Sequence, residues 1–209
     1  MPSSNNFILL IAGTPGSGKT SFSSILSHYF PQCIVESVSS IAFRLGVVRR
    51  DPSGRFTSYL DNRGLEAVVA EVERMLSRRC VILETLYPKD VLETNRIFFH
   101  VPVVFLLRAN PRELCRRLES KGWPVDKIYE NCLSEAFNVV AESLLDYRDM
   151  VIEVDTTGAP PEQAVERALD KLEDWRVGIE IDWLADPSVA EFVTYLSSRL
   201  NFDKYRLGV

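Results

Sequence analysis

Phe7-Ile8-Leu9-Leu10-Ile11-Ala12-Gly13-Thr14-Pro15-Gly16-Ser17-Gly18-Lys19-Thr20 is the stretch on which the fold turns. Its first six residues are apolar without a break, as in a central strand buried on both faces. The next eight fit G-x-x-x-x-G-K-[ST], the pattern of a phosphate-binding loop. Polyphosphate carries several negative charges, and Gly16 and Gly18 let successive backbone N–H groups turn inward as a nest. A helix opening near Lys19 adds the positive end of its dipole. Lys19 can reach the β- and γ-phosphates, and the Thr20 hydroxyl can ligate magnesium. Phe22, Ile25, Leu26 and Tyr29 recur on one side of that helix, and Pro31 stops it. The motif therefore has a strand before it and an amphipathic helix after it, the context a chance Gly-rich turn lacks.

Outward from the loop, short apolar runs alternate with helical patterns, which predicts an α/β fold with a parallel sheet. Cys33-Ile34-Val35, Cys80-Val81-Ile82-Leu83 and residues 101–107 and 150–155 read as further strands, making five. Leu65, Val68, Val69, Val72 and Leu76 predict a helix over about 64–79. Asn110-Pro111-Arg112-Glu113 opens another: Asn caps, Pro suits the first turn and Glu closes a capping box. It ends near Lys121-Gly122, where glycine takes the left-handed conformation. A helix over about 130–146 follows, and Pro160-Pro161-Glu162 opens one with Val165, Leu169, Leu172 and Trp175 inward. These elements are complete by about residue 176. A last candidate helix, around 188–200, forms a short extension whose Tyr195, Leu196, Leu200 and Phe202 either pack on the core, the favoured reading, or form a partner surface.

With 209 residues, 46% hydrophobic and 25% charged, the chain can bury a sizeable core and is not disordered. A net charge of -5 argues against a broadly basic nucleic-acid or membrane-surface protein, and no nucleic-acid motif occurs. The longest apolar runs are strand-sized, far short of the ~20 residues that span a bilayer. Met1 to Asn6 are polar and uncharged, against a secretory signal, so the expected compartment is the cytoplasm. Cys33, Cys80, Cys115 and Cys132 share no close metal-ligand spacing and have only His28 and His100 beside them. They read as buried reduced thiols.

Glu84, ending the run Val81-Ile82-Leu83, is the second candidate magnesium ligand, since a carboxylate at a strand end beside the loop can hold the metal directly or through water. Arg108, Arg112, Arg116, Arg117 and Lys121 form a basic patch in an acidic protein. Arg112 and Arg116 read as a solvated helix face paired with Glu113 and Glu119. Arg108, Arg117 and Lys121, at the strand and helix ends, are candidates for the cations that phosphoryl transfer needs on its equatorial oxygens. Asp61-Asn62-Arg63-Gly64 fits the D-x-x-G of GTPases, but follows no buried strand and has no N-K-x-D partner. Asp61 or Asn62 reads instead as a helix cap.

Leu10 to Thr20, Phe105-Leu106-Leu107-Arg108, Arg117-Leu118-Glu119-Ser120-Lys121-Gly122-Trp123, Glu130-Asn131 with Glu135, Val151 to Gly158, Val177-Gly178 and Asp182-Trp183 together resemble the adenylate kinase isoenzyme 6 family, most of all its archaeal branch. These are small P-loop kinases linked to maturation of the small ribosomal subunit. The resemblance runs from about Phe7 to Trp183. It implies a P-loop three-layer sandwich of nucleoside-monophosphate-kinase type over residues 1–183, with 184–209 as the C-terminal extension. A monophosphate segment would cover about 37–60 and a lid about 120–130. Gly16, Gly18, Lys19, Thr20 and Ser21 would bind ATP phosphates and Mg2+, Lys121 would replace an ATP-contacting arginine, and Asp155-Thr156-Thr157 would lie by the adenine. The implied reaction is ATP + AMP to 2 ADP. The family usually reads aspartate-x-histidine after the third strand, where this chain has Glu84-Thr85-Leu86. Its early monophosphate-segment cation falls at Phe43, with Arg44 next door. These departures keep a second expectation open, an ATP-gated factor that binds a small-subunit ribosomal protein with weak kinase or ATPase turnover. A third is a small-metabolite kinase.

Overall fold

The computed structural model describes residues 6–49 and 60–199. Five strands, β1 (Ile8–Ala12), β2 (Ile34–Ser37), β3 (Val81–Thr85), β4 (Val103–Arg108) and β5 (Val151–Asp155), make one all-parallel sheet in the order β2-β3-β1-β4-β5. The helices are α1 (Lys19–Tyr29), α2 (Val38–Leu45), α3 (Asn62–Leu76), α4 (Pro88–Leu92), α5 (Pro111–Ser120), α6 (Val125–Ala136), α7 (Val139–Glu142), α8 (Pro161–Glu173) and α9 (Pro187–Arg199). This is the expected P-loop α/β sandwich.

The unbroken apolar strands are explained by alternation between two cores. Ile8, Leu10 and Ala12 join Val81, Leu83, Val104 and Leu106 on the face covered by α2 and α3. Leu9 and Ile11 join Ile82, Phe105 and Leu107 on the face covered by α1 and α8. A third cluster stands apart: Leu114, Cys115 and Leu118 of α5, Ile128, Cys132 and Leu133 of α6, and Val189, Val193 and Leu196 of α9. The extension therefore lies on α5 and α6. Tyr195 stays half exposed, and Leu200 and Phe202 fall outside the described residues. So do residues 50–59 of the expected monophosphate segment.

Local expectations met four corrections. The single helix over 130–146 is broken between α6 and α7, because Asn138 takes a left-handed backbone (φ 57°) and turns its side chain to Arg108. Glu113 does not close a capping box. It pairs with Arg117, while the backbone N–H of Asn110 donates to Thr157 Oγ1. Trp175 lies beyond α8 at φ 50° and is half exposed, not inward. The cysteines are not reduced thiols: Cys33 bridges Cys80 and Cys115 bridges Cys132, with Cα atoms 4.5 and 5.8 Å apart. Partners 47 and 17 residues distant leave no spacing signal, yet both pairs lie within bridging reach.

Candidate functional site

All five strands point their carboxyl ends at one edge, where ligands gather in open parallel sheets. Gly13 leaves β1 at φ 144°, and a Cβ there would sit 2.5 Å from the Leu107 carbonyl oxygen. Gly16, at φ 92°, lies so near α5 that a Cβ would crowd Leu114 and Leu118 at 3.2 Å. Only glycine lets the loop run this close to its neighbours.

Lys19 starts α1, and its Nζ donates to the carbonyl oxygens of Gly13 (2.6 Å) and Thr14 (3.2 Å). Burial pulls its ammonium down to about 8, opposed by the carboxylates of Glu84 and Glu135, with Lys121 adding to the fall. Thr20 Oγ1 donates to Glu84 Oε2 at 3.0 Å, so two residues 64 apart in sequence meet at the head of the loop. A hydroxyl and a carboxylate oxygen are hard donors that suit Mg2+, which keeps several waters and takes few protein ligands.

Arg117 is bound into the rim of the loop. It donates to Glu113 (3.2 Å), to the Gly16 carbonyl (3.4 Å), and to Thr156 Oγ1 (3.1 Å) and O (2.6 Å). Thr156 Oγ1 itself lies 2.9 Å from Ser17 O, clipping the turn after β5 to the loop. Gly16, Gly18, Ser21, Arg117, Lys121, Thr156 and residues 158–161 line a cleft of about 500 Å³. Asp155 does not line it. Its carboxylate accepts from the Thr157 N–H at 2.8 Å and so shapes the turn that does. A second cleft opens beside Pro15, walled by Leu86, Tyr87, Trp123, Asn131 and Ser134.

Arg108 is the expected phosphate contact that the structure does not bring to the loop. Its guanidinium, 1% exposed, donates to Glu135, Glu153, Asn138 and the carbonyls of Ile181 and Glu135, which engages every N–H it has. Arg112 also departs from its expected solvated role, reaching Ser188 O at 2.7 Å and lying over the Phe192 ring. Arg116 remains exposed beside Glu113. Asp61 caps α3, accepting from Gly64 N at 2.8 Å, as its reading outside a GTPase motif required.

Three site neighbours carried no site reading in the sequence: Thr14, Glu135 and Tyr87. Thr14 occupies a free position of the loop motif. Glu135 appeared only within the family segment, although helical spacing from Ile128 and Cys132 places it on an apolar face, where a lone acid is a signal.

The "AAA domain" family model matches residues 9–138. A "Putative adenylate kinase" from Thermococcus onnurineus (strain NA1) is 34% identical over 84% of this chain and 91% of that protein. One from Saccharolobus solfataricus (strain P2) is 30% identical over 90% and 94%. Among solved structures, a gluconokinase from Sinorhizobium meliloti 1021 shares the fold at TM-score 0.51 and 15% identity, over 94% of this chain and 98% of that one. The tunicamycin resistance protein of Deinococcus radiodurans does so at TM-score 0.53 and 18%, over 80% and 95%. Among the described residues, no helix is long and apolar enough to cross a membrane. The chain belongs to the P-loop family of these archaeal adenylate-kinase relatives, and is a kinase of nucleotide type.

Proposed function

We propose that this chain transfers the γ-phosphoryl group of ATP to a nucleoside monophosphate, with AMP as the favoured acceptor. The carrying observation is the meeting of Thr20 Oγ1 and Glu84 Oε2 beside Lys19, at the strand ends where the loop opens. Lys19 exchanges its two loop carbonyls for β- and γ-phosphate oxygens, and the backbone N–H groups of the loop and the start of α1 hold the rest. Thr20 and Glu84 would hold Mg2+, which would supply charge neutralisation to the polyphosphate when bound. The cleft lined by Gly16, Thr156 and residues 158–161 takes the donor's nucleoside, with Arg117 as a fixed wall. Lys121, at the lid connection, carries its charge in as the lid closes. The acceptor is taken where the cleft beside Pro15 meets, across Leu86 and Tyr87, a cleft lined by Val38, Ser39, Ser40 and Phe43 at the start of the expected monophosphate segment. Positioning and charge stabilisation suffice for the transfer, so no protein base is assigned.

A second reading, an ATP-gated binding factor for a small-subunit ribosomal protein, is supported by Leu86. This residue puts an alkyl group on the cleft wall where the family has an imidazole. For the same reason, ATP hydrolysis without an acceptor is expected to be slow. One assay separates these readings. Purified protein is mixed with Mg-ATP and each monophosphate in turn, diphosphate formation is followed, and Lys19→Ala is the control. Formation above that control with AMP supports the transferase. If every monophosphate leaves ADP output at the Lys19→Ala level, the transferase reading is lost, and ATP-strengthened capture of a ribosomal protein tests the other.

A further inference from the structure

Glu135, in the last turn of α6, keeps a carboxylate 2% exposed beneath the phosphate loop and uses both oxygens. Oε2 accepts from Thr14 Oγ1 at 2.6 Å. Oε1 accepts from Arg108 Nε (2.8 Å), Trp183 Nε1 (2.9 Å) and the Ala109 N–H (3.2 Å). We infer that Glu135 is a positioning residue that locks α6 to the phosphate loop through Thr14, so that loop and helix respond to nucleotide as one body. The inference rests on the phosphoryl-transfer reading of the loop.

Four observations carry it. Thr14 is wholly buried, and its hydroxyl points away from the cleft into the protein, so that group serves Glu135 and not a ligand. Thr14 O also accepts from Lys19, so a shift of Thr14 moves the lysine's resting place. Asn131 and Ser134, on the same helix as Glu135, wall the cleft beside Pro15, the residue next to Thr14. The helices flanking the lid pack in their own cluster with α9, apart from the two sheet cores. The Thr14–Glu135 bond therefore joins α6 to the loop directly, beside the link that Arg117 of α5 makes to the Gly16 carbonyl. A buried charge network is a poor source of stability compared with apolar packing. What it supplies here is geometry, and coupling of this kind is demonstrated only when both ends respond together.

The test is hydrogen exchange of the full chain with and without Mg-ATP, alongside turnover with AMP per folded molecule, the folded fraction being set by circular dichroism. In the wild type, ATP is expected to slow exchange by about tenfold both in residues 13–20 and in α6. Thr14→Val keeps the loop's protection but loses that of α6, and kcat falls by about tenfold while ATP affinity changes by less than about threefold. Thr14→Ser, which retains the hydroxyl, restores both. Glu153→Gln cuts the far side of the same network, away from the loop, and leaves the coupling intact. The inference is overturned if α6 stays protected in Thr14→Val, or if Glu153→Gln uncouples as strongly. If ATP does not protect the wild-type loop, the phosphate-loop reading falls and takes this inference with it.

Discussion

Lys19 rests on two carbonyl oxygens in a buried place, which holds its proton more loosely than a surface lysine, at about 8. Phosphate oxygens favour the charged form, so the bound lysine has the higher pKa. Below about pH 8 it is already protonated, and this group adds no pH dependence to binding. Above that, binding must take up a proton, and ATP affinity should fall by up to about tenfold per pH unit. Calorimetry in buffers of different ionisation enthalpy checks the uptake, and a flat affinity from pH 7 to 9.5 would count against it. Glu84→Gln keeps the size and one acceptor oxygen but loses the charge, so the Mg2+ concentration needed for half-maximal turnover should rise about tenfold. Lys19, Thr20 and Glu84 were legible because a motif and a strand end announce them. The place of Arg108 was not. Its partners Glu135 and Glu153 lie 27 and 45 residues away, and no local period records that a strand-end arginine turns inward to them.

Helices and strands were read well wherever the apolar period was strong. The start of α5 is an example: Asn110 Oδ1 accepts from the Arg112 N–H at 3.0 Å, with Pro111 in the first turn. Asn110→Ala should cost about 1 kcal/mol of stability by urea unfolding, with the slope unchanged. The helix past residue 130 was over-extended because the apolar pattern continues through Val139 and Val140, while the break is set by Asn138 answering Arg108. A propensity argument sees only the near residues, and here a distant guanidinium decided the backbone. The same limit applied to the extension. Its period announced a helix, but that α9 would lie on α5 and α6 depends on Arg112 reaching Ser188 and Phe192, contacts across 76 residues or more.

At the scale of the whole molecule, the two disulfides divide their duties. Cys33–Cys80 ties the residues entering β2 and β3, at the edge away from the two clefts, while Cys115–Cys132 ties α5 to α6. From loop lengths of 47 and 17 residues, closing them is worth about 4 and about 3 kcal/mol. Cys33→Ser with Cys80→Ser should therefore lower the melting temperature by about 10 °C and leave nucleotide affinity unchanged. Calorimetric melting with and without ATP measures both, and a loss of affinity in the pair variant would contradict the assignment of that bridge to the far edge.

Because the sheet is wholly parallel, every group argued to meet a ligand stands on its carboxyl edge, and the amino edge meets none of them. The molecule thus has a working end and a mounting end. A solid support, a reporter or a second enzyme attached through the amino edge would leave both clefts facing the medium.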